Sequence, residues 1–304
     1  TWASIRWKDG APVLDCDDPD ESYGDRRCGG RFVVVEGVDV SDGEDESTEV
    51  GNDPFASLVL PGRAGEPDHL LVGSLRDGSV DLFTLSSSDG APELVDRLVV
   101  TQGINDLAAH PSRTVFASAK YSASVLRVRV RTEAGRSTLE GLPPIALPLA
   151  TTSSDIGRSL AFTGDGRRLL VAWRAPDGLM VLDTSGEGST DGEIRFLGLV
   201  SLADDPSCVR IYPTAPGGED RAWVTSLGNN SVYVVDPETL LVEARIRLGP
   251  SNVTPGFHGI APFSLAWSPA RREVYAAGFL GHAVSVIDAD PDSASFHTVI
   301  EEIR

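Results

Sequence analysis

The chain has 304 residues, with 45 acidic side chains against 26 basic ones and a formal net charge of −19. Such a surface repels nucleic-acid phosphates and anionic lipid, so neither is an expected partner. Its 41% hydrophobic content excludes global disorder, and no apolar run approaches the roughly 18 residues of a membrane span.

From the N-terminus, residues 1–53 hold 15 acidic and 5 basic side chains, so over half the excess charge lies in the first sixth of the chain. One acidic run extends from Asp15 to Glu21 and another from Glu36 to Asp53. The plain reading of the second is a solvated loop; the sharper one is a Ca²⁺ site on Asp39, Asp42 and Asp45, since hard cations take clustered carboxylates. The spacing is not that of an EF-hand loop. Cys16 and Cys28 enclose a charged segment with almost no apolar residues. Burial cannot hold such a loop, so a Cys16–Cys28 disulfide is expected, and with it an oxidising compartment. The first residue is Thr1, which implies either a removed leader or a piece of a longer chain. Trp2–Trp7 and Arg31–Val35 read as strands.

Five windows of sixteen residues then align without a gap: His69–Thr84, Thr114–Arg129, Arg168–Asp183, Arg221–Asp236 and Glu273–Asp288. Positions two to four are apolar, and the fifth is always small: Gly73, Ser118, Ala172, Thr225, Ala277. A polar turn follows, then a second apolar run. Two short β-rich runs across a few turn residues describe a hairpin, and no window has the three-to-four spacing of a helix. Strand-like segments precede the hairpins, as in Leu107–Pro111, Leu160–Gly166 and Leu265–Pro269, and follow them, as in Val242–Leu248 and Phe296–Ile300. Four antiparallel strands per repeat make the blade of a β-propeller. The expected fold is therefore all-β, one domain, with residues 54–304 forming five blades and residues 1–53 a divergent sixth. Seven blades follow if an N-terminal segment is missing.

The stretch Trp223–Asp236 resembles the repeat of the YVTN-type β-propellers, in which a Tyr-Val-Thr-Asn strand turns into a Val-x-Val-Ile-Asp strand. Glu273–Gly278 with Ala283–Asp288 is the next best match. The resemblance implies a lactonase-like or surface-layer-like bacterial propeller, and the type includes enzymes and non-enzymes alike.

In a propeller the loops entering the innermost strands surround one channel mouth. Asn105, Asp106, Asp155, Arg158, Asp205, Arg210 and His258 are placed there, a set able to bind an acidic metabolite or a divalent metal. The plainer reading is that every propeller channel is lined by polar groups and water. Cys208 reads as a buried strand thiol, not a nucleophile. The histidines lack metal-site spacing, and no phosphate loop, nucleophile elbow or haem-attachment motif occurs.

Apart from Ca²⁺, no cofactor is expected. The leading expectation is an extracytoplasmic interaction or scaffold module in a bacterial envelope or extracellular assembly, with a basic protein docking the acidic N-terminal segment. The alternative is a lactonase-like hydrolase or dehydrogenase-like subunit acting at the channel mouth.

Overall fold

The computed structural model describes residues 4–8, 11–15, 50, 53–63, 65–76, 78–85, 92–100, 103–120, 122–149, 157–188, 193–214, 218–249 and 259–304. Among the expected features, Cys16, Cys28, Asp39, Asp42, Asp45, Asp155, His258 and the Arg31–Val35 strand lie outside these residues.

Near the N-terminus β1 (Ser4–Lys8) and β2 (Ala11–Asp15) pair as an antiparallel ribbon. The remaining described strands form five four-stranded antiparallel sheets, each made of strands consecutive in sequence. The first contains β3 (Pro54–Leu60), β4 (Asp68–Ser74), β5 (Ser79–Leu85) and β6 (Glu93–Val99). The second contains β7 (Ile104–Ala109), β8 (Thr114–Ala119), β9 (Ser124–Glu133) and β10 (Arg136–Ala146). The third contains β11 (Gly157–Phe162), β12 (Arg168–Arg174), β13 (Asp177–Asp183) and β14 (Arg195–Ser201). The fourth contains β15 (Pro206–Pro213), β16 (Asp220–Ser226), β17 (Ser231–Val235) and β18 (Val242–Arg247). The fifth contains β19 (Pro262–Ser268), β20 (Glu273–Gly278), β21 (Val284–Asp288) and β22 (Val299–Ile303).

Each sixteen-residue window supplies the second and third strands of one sheet. The first strands lie side by side in the order β3, β7, β11, β15, β19, so the sheets are the blades of a β-propeller and these five strands are innermost. The last outer strand starts at Val299, three residues later than the sequence pattern placed it, because Ser293–Thr298 is taken up by turns.

Because side chains alternate across a strand, every blade offers an apolar set to each neighbour. The result, among the described residues, is four separate cores, one between each pair of consecutive blades. Blade two makes the alternation plain: Val115 and Ala117 pack towards blade one, whereas Phe116 between them packs towards blade three. Polar staples cross the same seams. Glu187 accepts hydrogen bonds from the Thr114 hydroxyl (2.8 Å) and the Arg127 guanidinium (2.9 Å), and the Ala261 amide donates to Asn230 Oδ1 (2.7 Å).

Two recurring devices explain columns of the repeat. The first is the Asp that closes a window. Oδ1 of Asp183, Asp236 and Asp288 accepts the backbone N–H two residues on, at 3.0, 2.8 and 2.9 Å. These Asx turns start the reversal into the outer strand. All three carboxyls are held below the usual Asp range. For Asp183 the Ser185 hydroxyl and amide do this; for Asp236 and Asp288 burial pushes upward and is outweighed by amide and hydroxyl donors.

The second device lies at the entry to the inner strand. Asp53, Gly103, Asp205 and Ala261 each precede one and have positive φ, at 63°, 67°, 61° and 50°. The carbonyl of each accepts the amide just after the second strand, from Leu75, Lys120, Leu227 and Phe279 respectively. Asp tolerates this left-handed conformation and Gly has no cost there, but Ala261 is strained.

Three outcomes are expected. Gly73 lies against the next blade, where an added Cβ would meet Ile104 Cγ2 at 2.5 Å; Gly73→Val should lower the denaturant midpoint by an amount equivalent to about 1–3 kcal/mol. Ala261→Gly should raise it, by up to about 1 kcal/mol. A carboxyl with a depressed folded pKa contributes stability that is complete above its unfolded value of about 3.9 and is lost as pH falls through the folded value. Urea unfolding at pH 5 and pH 3 should therefore show a smaller acid loss for a variant carrying Asn at 183, 236 and 288 than for the parent.

Candidate functional site

All five inner strands carry a bulge against their second strand, at the same end. The register shifts lie between Pro54 and Ala56, Ile104 and Asp106, Gly157 and Leu160, Pro206 and Val209, and Pro262 and Ser264. The extra residues are Phe55, Asn105, Arg158 with Ser159, Ser207 with Cys208, and Phe263. A bulge takes a residue out of the ladder and re-aims its side chain. Here all five aim at one place: these residues, with Asp106, Arg210 and Ser264, line a cavity of about 370 Å³ at the N-terminal ends of the inner strands.

The cavity floor is a hydrogen-bonded waist contributed by three blades. Asp106 Oδ2 accepts from the Ser159 hydroxyl (2.6 Å), the Leu160 amide (3.2 Å) and Arg210 Nη1 (3.2 Å), and its Oδ1 accepts from the Leu107 amide (3.0 Å). Arg210 Nη1 also reaches Ser159 Oγ (2.9 Å) and the Val209 carbonyl (2.8 Å). Asp106 and Arg210 line a second, wider cavity of about 850 Å³ beyond the waist as well, so they form the partition of the channel. Beside the floor sits Cys208, buried and without a disulfide. Burial pushes its thiol pKa up, with Arg210 opposing and Asp106 adding to the rise. A thiol held protonated is a poor nucleophile.

Nearer the mouth, Asn105 Nδ2 donates to the Gly157 carbonyl and fixes blade two to blade three. Arg158 Nη2 lies 3.6 Å from Asp205 Oδ1, which Arg174 Nε approaches to 3.3 Å. Arg158 Nε is buried and has no hydrogen-bond partner among the described residues. The rim is aromatic: Phe55 is 51% exposed, and the Phe263 ring stands 5.7 Å from that of Phe279, which is 65% exposed and followed by exposed Leu280.

Of the residues placed at the mouth by sequence, the structure brings Asn105, Asp106, Arg158 and Arg210 onto one cavity. Asp205 is not on its wall and touches the site through Arg158. Asp155 and His258 are outside the described residues. Sequence reasoning missed Phe55, Ser159, Ser207 and Phe263, and assigned Cys208 no place near the site. The aromatics read as core because they sit in apolar strands; the available signal was the small fifth position opposite each bulge. Among the described residues, no group of three or more His, Cys, Asp or Glu is arranged to hold a metal ion.

No family model matches the chain, and no curated protein matches it. Solved structures do match. A catalytically inactive variant of virginiamycin B lyase from Staphylococcus aureus, with quinupristin, is 12% identical, with a TM-score of 0.57 over 85% of this chain and 72% of that one. The periplasmic gluconolactonase of Pseudomonas aeruginosa is 18% identical, with a TM-score of 0.58 over 82% and 70%. The Saccharomyces cerevisiae protein Sqt1 is 14% identical, with a TM-score of 0.56 over 77% and 60%. At these identities the likeness is one of fold.

Asp106 anchors the waist, and its loss leaves Ser159, Leu160 and Arg210 short of an acceptor. Asp106→Ala should cost about 2–3 kcal/mol, and Asp106→Asn, which loses the charge and sets an amide donor against the donors now on Oδ2, should cost at least as much. Equilibrium unfolding measures both; an Asn loss under half that of Ala would contradict the charge-assisted role.

Proposed function

We propose that the chain is an extracytoplasmic β-propeller that serves as a protein-interaction module in an envelope or extracellular assembly, with the aromatic-rimmed mouth as its docking face. The observation that carries this reading is the combination of that rim with its floor. Exposed Phe55, Phe279 and Leu280 and half-buried Phe263 gather apolar surface at one mouth, and exposed aromatics are the usual anchors of protein interfaces. Beneath them, the donors and acceptors of Asp106, Ser159 and Arg210 are largely satisfied by one another, and Cys208 is held as a thiol. The floor is built as a plug.

The partner that fits is a protein offering apolar side chains within a basic surround, since this chain carries −19 and complementary charge guides encounter. Residues 1–53, the most acidic segment, would add to that attraction as part of the same domain. The extracytoplasmic setting rests on the expected Cys16–Cys28 disulfide, and the periplasmic gluconolactonase among the fold neighbours is compatible with it. The same reading keeps the YVTN type for the repeats, whose clearest copy is Trp223–Asp236.

One observation favours a second reading. The buried Nε of Arg158, without a hydrogen-bond partner among the described residues, lies on the cavity wall, where a small anionic ligand could accept its hydrogen bond. Lactone hydrolysis at this mouth is the corresponding activity.

Both readings are tested together. A photo-crosslinking amino acid at position 279 should capture one defined partner in the native assembly, and Phe55→Asp should suppress the adduct. The same probe at position 241, where Leu241 is equally exposed, should not capture it. Identical adducts from both positions would overturn the docking face. Gluconolactone hydrolysis above background that is abolished by Arg158→Gln would establish the enzymatic reading instead.

A further inference from the structure

The wider cavity beyond the waist differs in character from the aromatic-rimmed mouth. It lies at the C-terminal ends of the inner strands, holds about 850 Å³, and reaches the turns that follow β3 and β7. Its lining mixes polar groups with an apolar share of similar size, to which Leu58, Phe162 and Ile211 contribute. Its charged groups, among the described residues, are Arg63, Arg113, Arg210 and Asp106. The single carboxylate is already bonded to Arg210, Ser159 and Leu160. In a chain of net charge −19, three guanidiniums thus line one cavity against a single lining carboxylate, with Glu66 and Asp68 at its edge, and such clustered basic groups attract anions.

Arg113 projects from the tight turn after β7 at a φ of 74° and donates to the Pro61 carbonyl, which ties the two turns together. Its Nη2 is 3.9 Å from Glu66, too far for a hydrogen bond. Arg63 is exposed and makes no ion pair among the described residues, and its turn is closed by the Glu66 amide donating to the Arg63 carbonyl at 2.8 Å. Arg63 and Arg113 also line an adjoining notch of about 270 Å³ that contains Arg129 and Arg131, opposed by Glu66 and Glu133. His110, at the edge of the cavity, is engaged through both ring nitrogens: Nε2–H donates to the Gly166 carbonyl (3.0 Å) and Nδ1 accepts the Ser112 amide (3.1 Å).

We infer that this cavity binds a small amphiphilic organic anion, its apolar body against the leucine and phenylalanine walls and its anionic group on Arg63, with Arg113 and Arg210 adding to the field. The volume suits a ligand of ordinary metabolite or drug size. The site is independent of the docking reading and stands whether or not the opposite mouth binds protein.

The test uses a matched pair of fluorescent probes: 8-anilinonaphthalene-1-sulfonate, and its neutral counterpart N-phenyl-1-naphthylamine. The folded protein should bind the sulfonate with one-to-one stoichiometry and at least tenfold more tightly than the neutral probe. Octanoate should displace it and octyl glucoside should not. Arg63→Glu should weaken sulfonate binding tenfold or more with an unchanged near-UV circular dichroism spectrum, and Arg63→Lys should restore most of it. Arg158→Gln, at the other mouth, should leave binding as in the parent. Equal affinity for the two probes, or sulfonate binding indifferent to Arg63→Glu, would overturn the inference.

Discussion

The architecture depends on how closely consecutive blades approach at one point, where the inner strand bulges and the second strand must give way. The small fifth residue of every repeat lies opposite that bulge. Gly73 pairs with Ala56, Ser118 with Asp106 and Ala277 with Ser264, while Ala172 and Thr225 face the two-residue bulges of blades three and four. Where the residue is Gly, the next blade fills the space, as Ile104 does. Where it is Ser, its hydroxyl donates to the Arg158 carbonyl of the next inner strand at 2.8 Å. Where it is Thr, its oxygen accepts the Cys208 amide, freed by the bulge, at 2.9 Å. The same residue type thus solves both a steric problem and a hydrogen-bonding one.

The channel inherits its form from this constraint. Side chains turned out of the ladder must go towards the axis, and there they meet either one another or a ligand. Asp106, Ser159 and Arg210 meet one another, which divides the channel into two compartments of different character: an aromatic-rimmed mouth above and a wider, arginine-bearing cavity below. A partly buried carboxylate and guanidinium are tolerable here because each has further hydrogen-bond partners.

Much of this was legible in the sequence. The hairpins were, because apolar runs separated by turn residues survive any local irregularity. The closing Asp of three repeats was visible as a column, although its turn-capping role was not. The bulges were hidden, since one extra residue breaks the period-two alternation over too short a span to be distinguished from an ordinary strand start. For the same reason Asn105, Asp106, Arg158 and Arg210 could be picked out as polar residues entering inner strands, whereas Phe55 and Phe263 could not be told from core. Arg63 and Arg113 belong to turns at the other end of β3 and β7, 50 residues apart in sequence, and nothing local announces that they share a cavity.

The bulges also have a consequence for how this scaffold can be altered. A side chain in a regular strand is bound to its register, its face and the core it fills, and changing it is felt by a neighbouring blade. Positions 55, 105, 158, 207 and 263 are released from the ladder, because it is continued by the residues on either side. Asn105 and Arg158 still reach the neighbouring blade, which leaves 55, 207 and 263 as the seats least tied to the frame. A new binding chemistry could be written into those three while the rest of the sequence is left as it stands.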